Sequence, residues 1–260
     1  MKRIPASLIL LLFSLCALQG QIQPYLPGEK VKYQIRYGVV NGGIATLEIK
    51  DGYWEGVPVW HASASGQTTG LADALYKVRD IYESYIEPAT DLPLFSIRNI
   101  SEGRYRKYNE VQFDHRSRTD SAVLQSDLTG KHITQKGILD ILSCFYWFRK
   151  YYLANGDSLK PGDTFTMTTW FADELYPITL KYKGKETVRV SGGKVLCYRF
   201  HPITEVGRVF KSEEDMAMWF SADENFLPVK IRFDIFVGSF HVDMISSEGL
   251  KKPLIINKKE

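Results

Sequence analysis

The feature that most narrows the fold is an alternation of apolar and polar residues that returns between turns along the whole chain. It is clearest near the end, where Val229, Ile231, Phe233, Ile235 and Val237 alternate with Lys230, Arg232 and Asp234. A period of two sends successive side chains to opposite faces of a strand, so one face can be buried while the other meets water. Gly238-Ser239 then turns the chain, and Phe240, Val242 and Met244 return on the same apolar face. Glycine at the first position suits a two-residue type II′ turn, which predicts the pairs Val237–Phe240, Ile235–Val242 and Phe233–Met244. That register sets Asp234 across from Asp243, with His241 close by. Facing carboxylates repel, so a lysine or arginine, or a bound cation, is expected between them.

The same pattern runs through the earlier chain. Val31, Tyr33, Ile35 and Tyr37 alternate with charged and amide side chains, Asn41-Gly42-Gly43 reads as a hairpin turn, and Ala45, Leu47 and Ile49 follow. Asp51-Gly52 reads as the next turn, Val57–Ser65 as a third strand and 66–70 as a polar loop, with one or two helical turns over Leu71–Val78. A strand over Asp80–Glu87 precedes the proline-bounded turn Pro88–Pro93. Leu94–Glu102, Arg104–Phe113 and Arg118–Gln125 form a meander whose Arg98, Arg104, Arg106, Arg116 and Arg118 are expected on a solvated outer face. Phe165–Phe171, Leu175–Lys183, Thr187–Val190 and Val195–Pro202 follow, turned at Gly184-Lys185 and Gly192-Gly193, and then Met216–Ser221. About a dozen short strands without the rhythm of alternating helices imply an antiparallel meander. Such a sheet must curl or close to hide its edges.

One stretch breaks the pattern. Asp140–Leu153 reads as a helix, with Asp140 as its cap and Asn155-Gly156 as its stop. Ile141, Leu142, Phe145, Phe148 and Tyr152 form an apolar stripe, and Cys144, Trp147 and Tyr151 extend it. A helix apolar around most of its circumference is buried. The expected fold is therefore mainly β: a large antiparallel meander curled into a barrel or half-barrel around one central helix.

The first twenty residues stand apart. Lys2 and Arg3, an apolar run over 8–13 and a small residue at Gly20 are the parts of a secretory signal peptide, with cleavage expected after Gly20. A lipoprotein reading competes through Cys16, but Leu15 stands where that processing favours a small residue. The expected organisation is a signal peptide over 1–20, a single β-barrel-like domain over 21–250 and a charged, frayed tail over 251–260. Export would place the protein in the periplasm or against the outer envelope, and no later stretch is long and apolar enough for a membrane helix. Removing Lys2 and Arg3 from 33 basic residues leaves 31 against 30 acidic ones, a net charge of +1. Nucleic-acid binding is not expected from so even a balance. Cys144 and Cys197 are the cysteines left after cleavage; a disulfide between them is possible in an exported chain, and two buried apolar side chains are the simpler reading.

The chain resembles the exported bacterial family of unknown function DUF3108. The resemblance is carried by Gly28-Glu29 with Tyr33, Tyr37 and Gly43, then Tyr82-Glu83-Ser84, and Glu87 through Thr90 to Pro93 and Phe95. Asp140, Tyr146 and Arg149 continue it, and Trp219, Asp223, Pro228 and Gly238 close it. The Ala222-Asp223-Glu224 turn departs from the double-acid turn of the family. The resemblance implies an antiparallel, barrel-like fold of the YmcC type and brings neither an activity nor catalytic residues.

The motifs of common enzymes are missing. No HExxH, GxSxG, GxxxxGK[ST] or GxGxxG sequence occurs, and two cysteines are too few for a four-ligand zinc site. No cofactor or metal is implied. Trp147, Arg149 and Tyr151 on the helix are the expected ligand-binding residues, an aromatic wall beside a cation suited to an acidic headgroup or sugar acid. A non-enzymatic binding module for a lipid, a glycan or an envelope partner is the first reading. An envelope hydrolase with a site assembled from scattered strand residues is the alternative.

Overall fold

The computed structural model describes residues 23–203, 215–235 and 237–257. The expected signal segment and Cys16 lie outside the described residues. The first eight strands are β1 (Lys30–Tyr37), β2 (Val40–Trp54), β3 (Val57–Thr68), β4 (Arg79–Ile86), β5 (Pro93–Glu102), β6 (Tyr105–Asp114), β7 (Ser121–Ser126) and β8 (Gly130–Gln135), with the short helix α1 (Gly70–Leu75) before β4. A two-residue strand, β9 (Leu139–Asp140), leads into α2 (Ser143–Asn155). The remainder is β10 (Thr164–Phe171), β11 (Glu174–Val190), β12 (Gly193–Pro202), β13 (Met216–Ser221), β14 (Pro228–Asp234) and β15 (Ser239–Glu248).

All strands share one sheet in the order β8-β7-β6-β5-β4-β3-β2-β1-β15-β14-β13-β12-β11-β10-β9. Every ladder is antiparallel except the short β9–β10 pairing. The ladder does not close, since β8 and β9 are its two ends. Side chains bridge the gap instead. Phe171 at the end of β10 stacks on Tyr82 of β4 at 6.5 Å and lies under the Arg98 guanidinium at 4.8 Å. Trp170 meets His132 of β8 at 4.8 Å. Arg98 therefore faces inward, which corrects its expected place on the outer face; Arg104, Arg106, Arg116 and Arg118 are exposed. The strand alternation explains the correction, because Arg98 pairs with Tyr82, itself cross-strand from inward-facing Ala64.

Several glycines expected at turns belong to strands. The first hairpin turns at Gly38-Val39, while Asn41, Gly42 and Gly43 lie inside β2. A Cβ on Gly43 would stand 2.4 Å from the Gln67 carbonyl oxygen, so glycine is needed there for close approach of β3. β2 continues through Asp51-Gly52 and turns at Glu55-Gly56, both with positive φ, as a type I′ hairpin requires. β3 continues through most of the expected polar loop to Thr68. Gly184 is a bulge within the 17-residue β11, where the register with β12 shifts, and not a turn between two strands.

The closing hairpin also differs from the expected register. Phe233 faces Phe240, Ile231 faces Val242, and Asp234 faces Ser239. The loop is longer than two residues and is closed by the Ile235 N–H donating to the Gly238 carbonyl at 3.2 Å. The displacement keeps each side chain on its expected face, because the change in pairing is even. It moves Val237 out of the sheet, where it is 73% exposed.

The half-barrel is filled by α2. Leu142 and Tyr146 join a core with Tyr33, Leu47, Ala62, Val229 and Met244. Cys144, Phe148 and Tyr152 join a second core with Met167, Leu180, Phe200, Phe220 and Phe226. The Phe148 ring sits 5.3–5.5 Å from Phe200, Phe220 and Phe226 in edge-to-face contacts, the favoured aromatic geometry. α2 begins later than expected. Asp140 belongs to β9, yet its Oδ1 accepts the N–H groups of Leu142 and Ser143 at 2.7 and 2.9 Å, so it does serve the helix start. The far end continues into a 3-10 turn over Gly156–Ser158, with Gly156 in right-handed geometry and no left-handed stop.

The expected frayed tail is corrected over its described part. Lys194 and Asn257 exchange backbone hydrogen bonds of 3.0 and 2.8 Å, and Leu254 and Ile256 pack against the first core.

Candidate functional site

α2 does not fill the interior evenly. On one side Cys144, Phe145 and Phe148, with Ile141 just before the helix, face a pocket of about 480 Å3. Its far walls are Met167 of β10, Ile178 and Leu180 of β11, Met218 and Phe220 of β13, and Ile231 and Phe233 of β14. Tyr176, Pro177, Pro202, Ile203 and Met216 are the described lining nearer the strand ends. A second chamber of about 160 Å3 lies beyond Phe145 and Ile231, which border both. Tyr33, Ala45, Leu47, Ala64 and Val242 line it. Among the described residues no charged side chain lines either space. Three of the five methionines, Met167, Met216 and Met218, face the larger pocket. Their unbranched thioethers give a wall that adapts to more than one apolar shape.

The chemistry available there is limited. Among the described lining residues Cys144 carries the one thiol. Its thiol donates to the Ile141 carbonyl at 3.2 Å, and burial, with a smaller push from nearby Asp140, drives its pKa far up. A thiol held protonated is a poor nucleophile. Cys197 is pushed up to about 12 by burial, and both cysteines are free. Among the described residues no group of three His, Cys, Asp or Glu could hold a metal ion. Its described lining can exclude water and hold apolar matter, and presents no acid–base pair.

The expected site residues lie elsewhere on α2. Trp147 stacks on Tyr151 at 4.9 Å and on Phe165 at 5.9 Å and does not line this pocket. Tyr151 is 38% exposed and lines a separate cleft of about 310 Å3 with Tyr152, Phe165 and Tyr182. Arg149 offers no cation to a ligand, because it is fully buried and engaged on every side. Its Nη1 and Nη2 donate to the Glu29 carboxylate at 2.5 and 2.9 Å, and Nε and Nη2 donate to the Asn225 carbonyl at 3.2 and 2.9 Å. Beside it Lys150 pairs with Asp91, whose Oδ1 accepts the Tyr25 hydroxyl at 2.8 Å. These contacts tie the segment before β1 across the helix.

The expected charge cluster separates into two ion pairs. Asp243 faces Lys230 across the ladder, at 3.4 Å, and is also paired with Arg36 of β1. Asp234 pairs with Arg232 at 2.8 Å. His241 lies opposite Arg232, touches Ser239 Oγ at 2.9 Å and is lowered by burial below its ordinary pKa. Asp234 and Asp243 are not opposed, so no cation is needed between them.

Two comparisons bear on what the protein is. The crystal structure of a beta-barrel-like protein of domain of unknown function DUF1849 from Brucella abortus is similar over 86% of this chain and 98% of that chain, with a TM-score of 0.57 and 10% identity. At that identity the likeness is one of fold. No curated protein matches the sequence. The profile described as protein of unknown function DUF3108 matches residues 32–245, which takes in all the strands except the ends of β1 and β15. The chain belongs to the DUF3108 family.

Proposed function

We propose that this protein is an exported envelope binding module that holds the alkyl chain of a lipid in the pocket beside α2, without catalysing a reaction. The observation that carries the reading is the lining of that pocket. Among the described residues, helix and strands contribute methionine, phenylalanine, isoleucine and leucine, and no charged group or acid–base pair. Apolar pockets of a few hundred Å3 are the usual form of small-molecule sites. A sugar in this space would lose its hydrogen bonds to water and find few replacements, whereas an alkyl chain loses none. Export is supported by the basic start, the apolar run and the small residue at Gly20.

The test is displacement of a fluorescent fatty acid by palmitate, with native mass spectrometry of protein recovered from its own envelope. Uptake of the probe, its displacement by palmitate and a co-purifying lipid mass are expected. Met218→Arg, which places a charge in the pocket, should abolish uptake. Failure of the wild-type protein to take up the probe, or equal uptake by the Met218→Arg variant, would refute the reading.

A further inference from the structure

A second concave site lies where the β2–β3 hairpin, the β4–β5 turn and strands β6 and β7 meet. It has a volume of about 420 Å3, and no residue of α2 lines it. Its floor is apolar, with Trp54, Leu92, Leu94, Phe113 and Val123. Trp54 stacks on Phe95 with ring centroids 5.6 Å apart and planes within 16°, which fixes the indole and covers one of its faces. The rest of the ring borders the pocket.

The rim is polar, and the state of each group decides what can bind. Four side chains are charged, and each already has a partner. Arg116 is paired with Glu87. Asp114 Oδ1 accepts the N–H groups of Arg116 and Ser117 at 2.8 and 2.9 Å, and Lys136 donates to the Thr119 carbonyl at 3.1 Å. An ionic ligand would have to displace these. The other polar side chains named below are neutral. Gln112 and Gln125 are cross-strand neighbours with exposed side chains; Gln125 Nε2 donates to the Ser126 carbonyl at 3.3 Å, and the Gln112 amide makes no hydrogen bond among the described residues. His115 is 8% exposed, and its Nε2 lies 3.1 Å from the Pro93 carbonyl. A carbonyl oxygen only accepts, so Nε2 carries the proton and Nδ1 is left as a bare acceptor, buried and without a partner. Burial lowers the pKa of this imidazole, which keeps it neutral.

We infer that this pocket binds a neutral pyranose ring of an oligosaccharide. A pyranose has an apolar C–H face that lies flat on an aromatic ring, and hydroxyls around its edge that both donate and accept. Trp54 supplies the ring, and the paired glutamines supply planar amides able to bridge neighbouring hydroxyls. An alkyl chain in the same place would strip water from the two amides and return no hydrogen bond. The site is separate from the pocket beside α2 and does not depend on how that pocket is used.

Isothermal titration of the full chain with cellotetraose, chitotetraose and maltotetraose tests the inference. At least one is expected to bind at a single site. Trp54→Ala should weaken that binding by about tenfold or more, through loss of the stacking surface. Gln112→Ala, a change at an exposed position, should weaken it severalfold while leaving the unfolding curve in place. Met218→Arg should leave it unchanged. The inference is overturned if none of the three sugars binds, if the Gln112→Ala and Trp54→Ala variants bind as the wild type does, or if palmitate competes with the bound sugar.

Discussion

Replacing Arg149 with alanine is expected to be among the most damaging single changes available in the chain. The guanidinium is fully buried, and Glu29 is 1% exposed. Truncation removes the whole bidentate pair and the donors to the Asn225 and Pro24 carbonyls, which lie 2.9 and 3.4 Å from Nη2. Glu29 would remain as a buried carboxylate with no cation beside it. Breaking a buried pair from one side costs about 3–5 kcal/mol. At 1.4 kcal/mol per tenfold, that is a loss of roughly two to more than three powers of ten in the folding equilibrium. Urea unfolding followed by circular dichroism measures it as a lower midpoint at unchanged slope. Replacing both partners, Glu29→Met with Arg149→Met, should recover much of the loss, because the largest penalty is the orphaned charge and not the missing attraction. A cost below about 1 kcal/mol for Arg149→Ala would refute the reasoning, since it would mean that water or another cation reaches Glu29.

Phe145→Ala should join the two chambers beside α2. Palmitate and longer fatty acids are expected to gain affinity over the wild type, by about fourfold for each extra buried methylene, while decanoate does not gain. A chain-length series in the displacement assay reads this directly. His115 has a lowered pKa because burial disfavours its charged form. The unfolded state therefore binds more protons, and the stability from neutral His115 is present above about pH 6.5 and lost as pH falls from there toward its folded-state value. A plot of urea midpoint against pH should be flatter for His115→Gln than for the wild type below that point. Neither Cys144 nor Cys197 should react with a thiol reagent in the folded protein, and both should react at once in urea, because burial raises both pKa values and shields both sulfurs.

The strands were legible in the sequence wherever one face is buried and the other solvated, since that condition produces the alternation. The reading was weaker where glycine appears. Gly42, Gly52 and Gly184 look like turns because glycine tolerates any backbone angle, yet the same freedom serves strand interiors and bulges, and only the neighbouring strand shows which applies. β8 was missed because Lys131, Ile133 and Gln135 are exposed at a sheet edge, which leaves too little apolar pattern to detect. The helix was legible from its apolar surface, but the face toward the pocket was not. Trp147 stands off the main apolar stripe, which suggested a wall left free to meet a ligand, whereas the pocket wall is Ile141, Cys144, Phe145 and Phe148. The gathering of Met167, Met216 and Met218 was a usable signal for an adaptable apolar site. Arg149 was a different kind of miss, because its partner Glu29 lies 120 residues away and no local pattern connects them.

The order of strands in the sheet has a consequence for how the chain reaches its native state. Read from β10 to β15 and then from β1 to β8, it is one uninterrupted antiparallel meander, with β9 added in parallel at one edge. Almost every ladder joins strands that follow one another in sequence, and the single splice is β1 with β15, where Lys30 meets Glu248. The topology is thus that of a simple zigzag cut open at its middle, with the cut made between two central neighbours. Each half can zip from its own hairpins, but the central seam must wait for strands at opposite ends of the polypeptide to meet. Long-range closure of this kind slows folding. A permuted chain, joined where Gly249 touches Gly28 and opened at Gly137 between β8 and β9, would turn that last and slowest pairing into one more local hairpin.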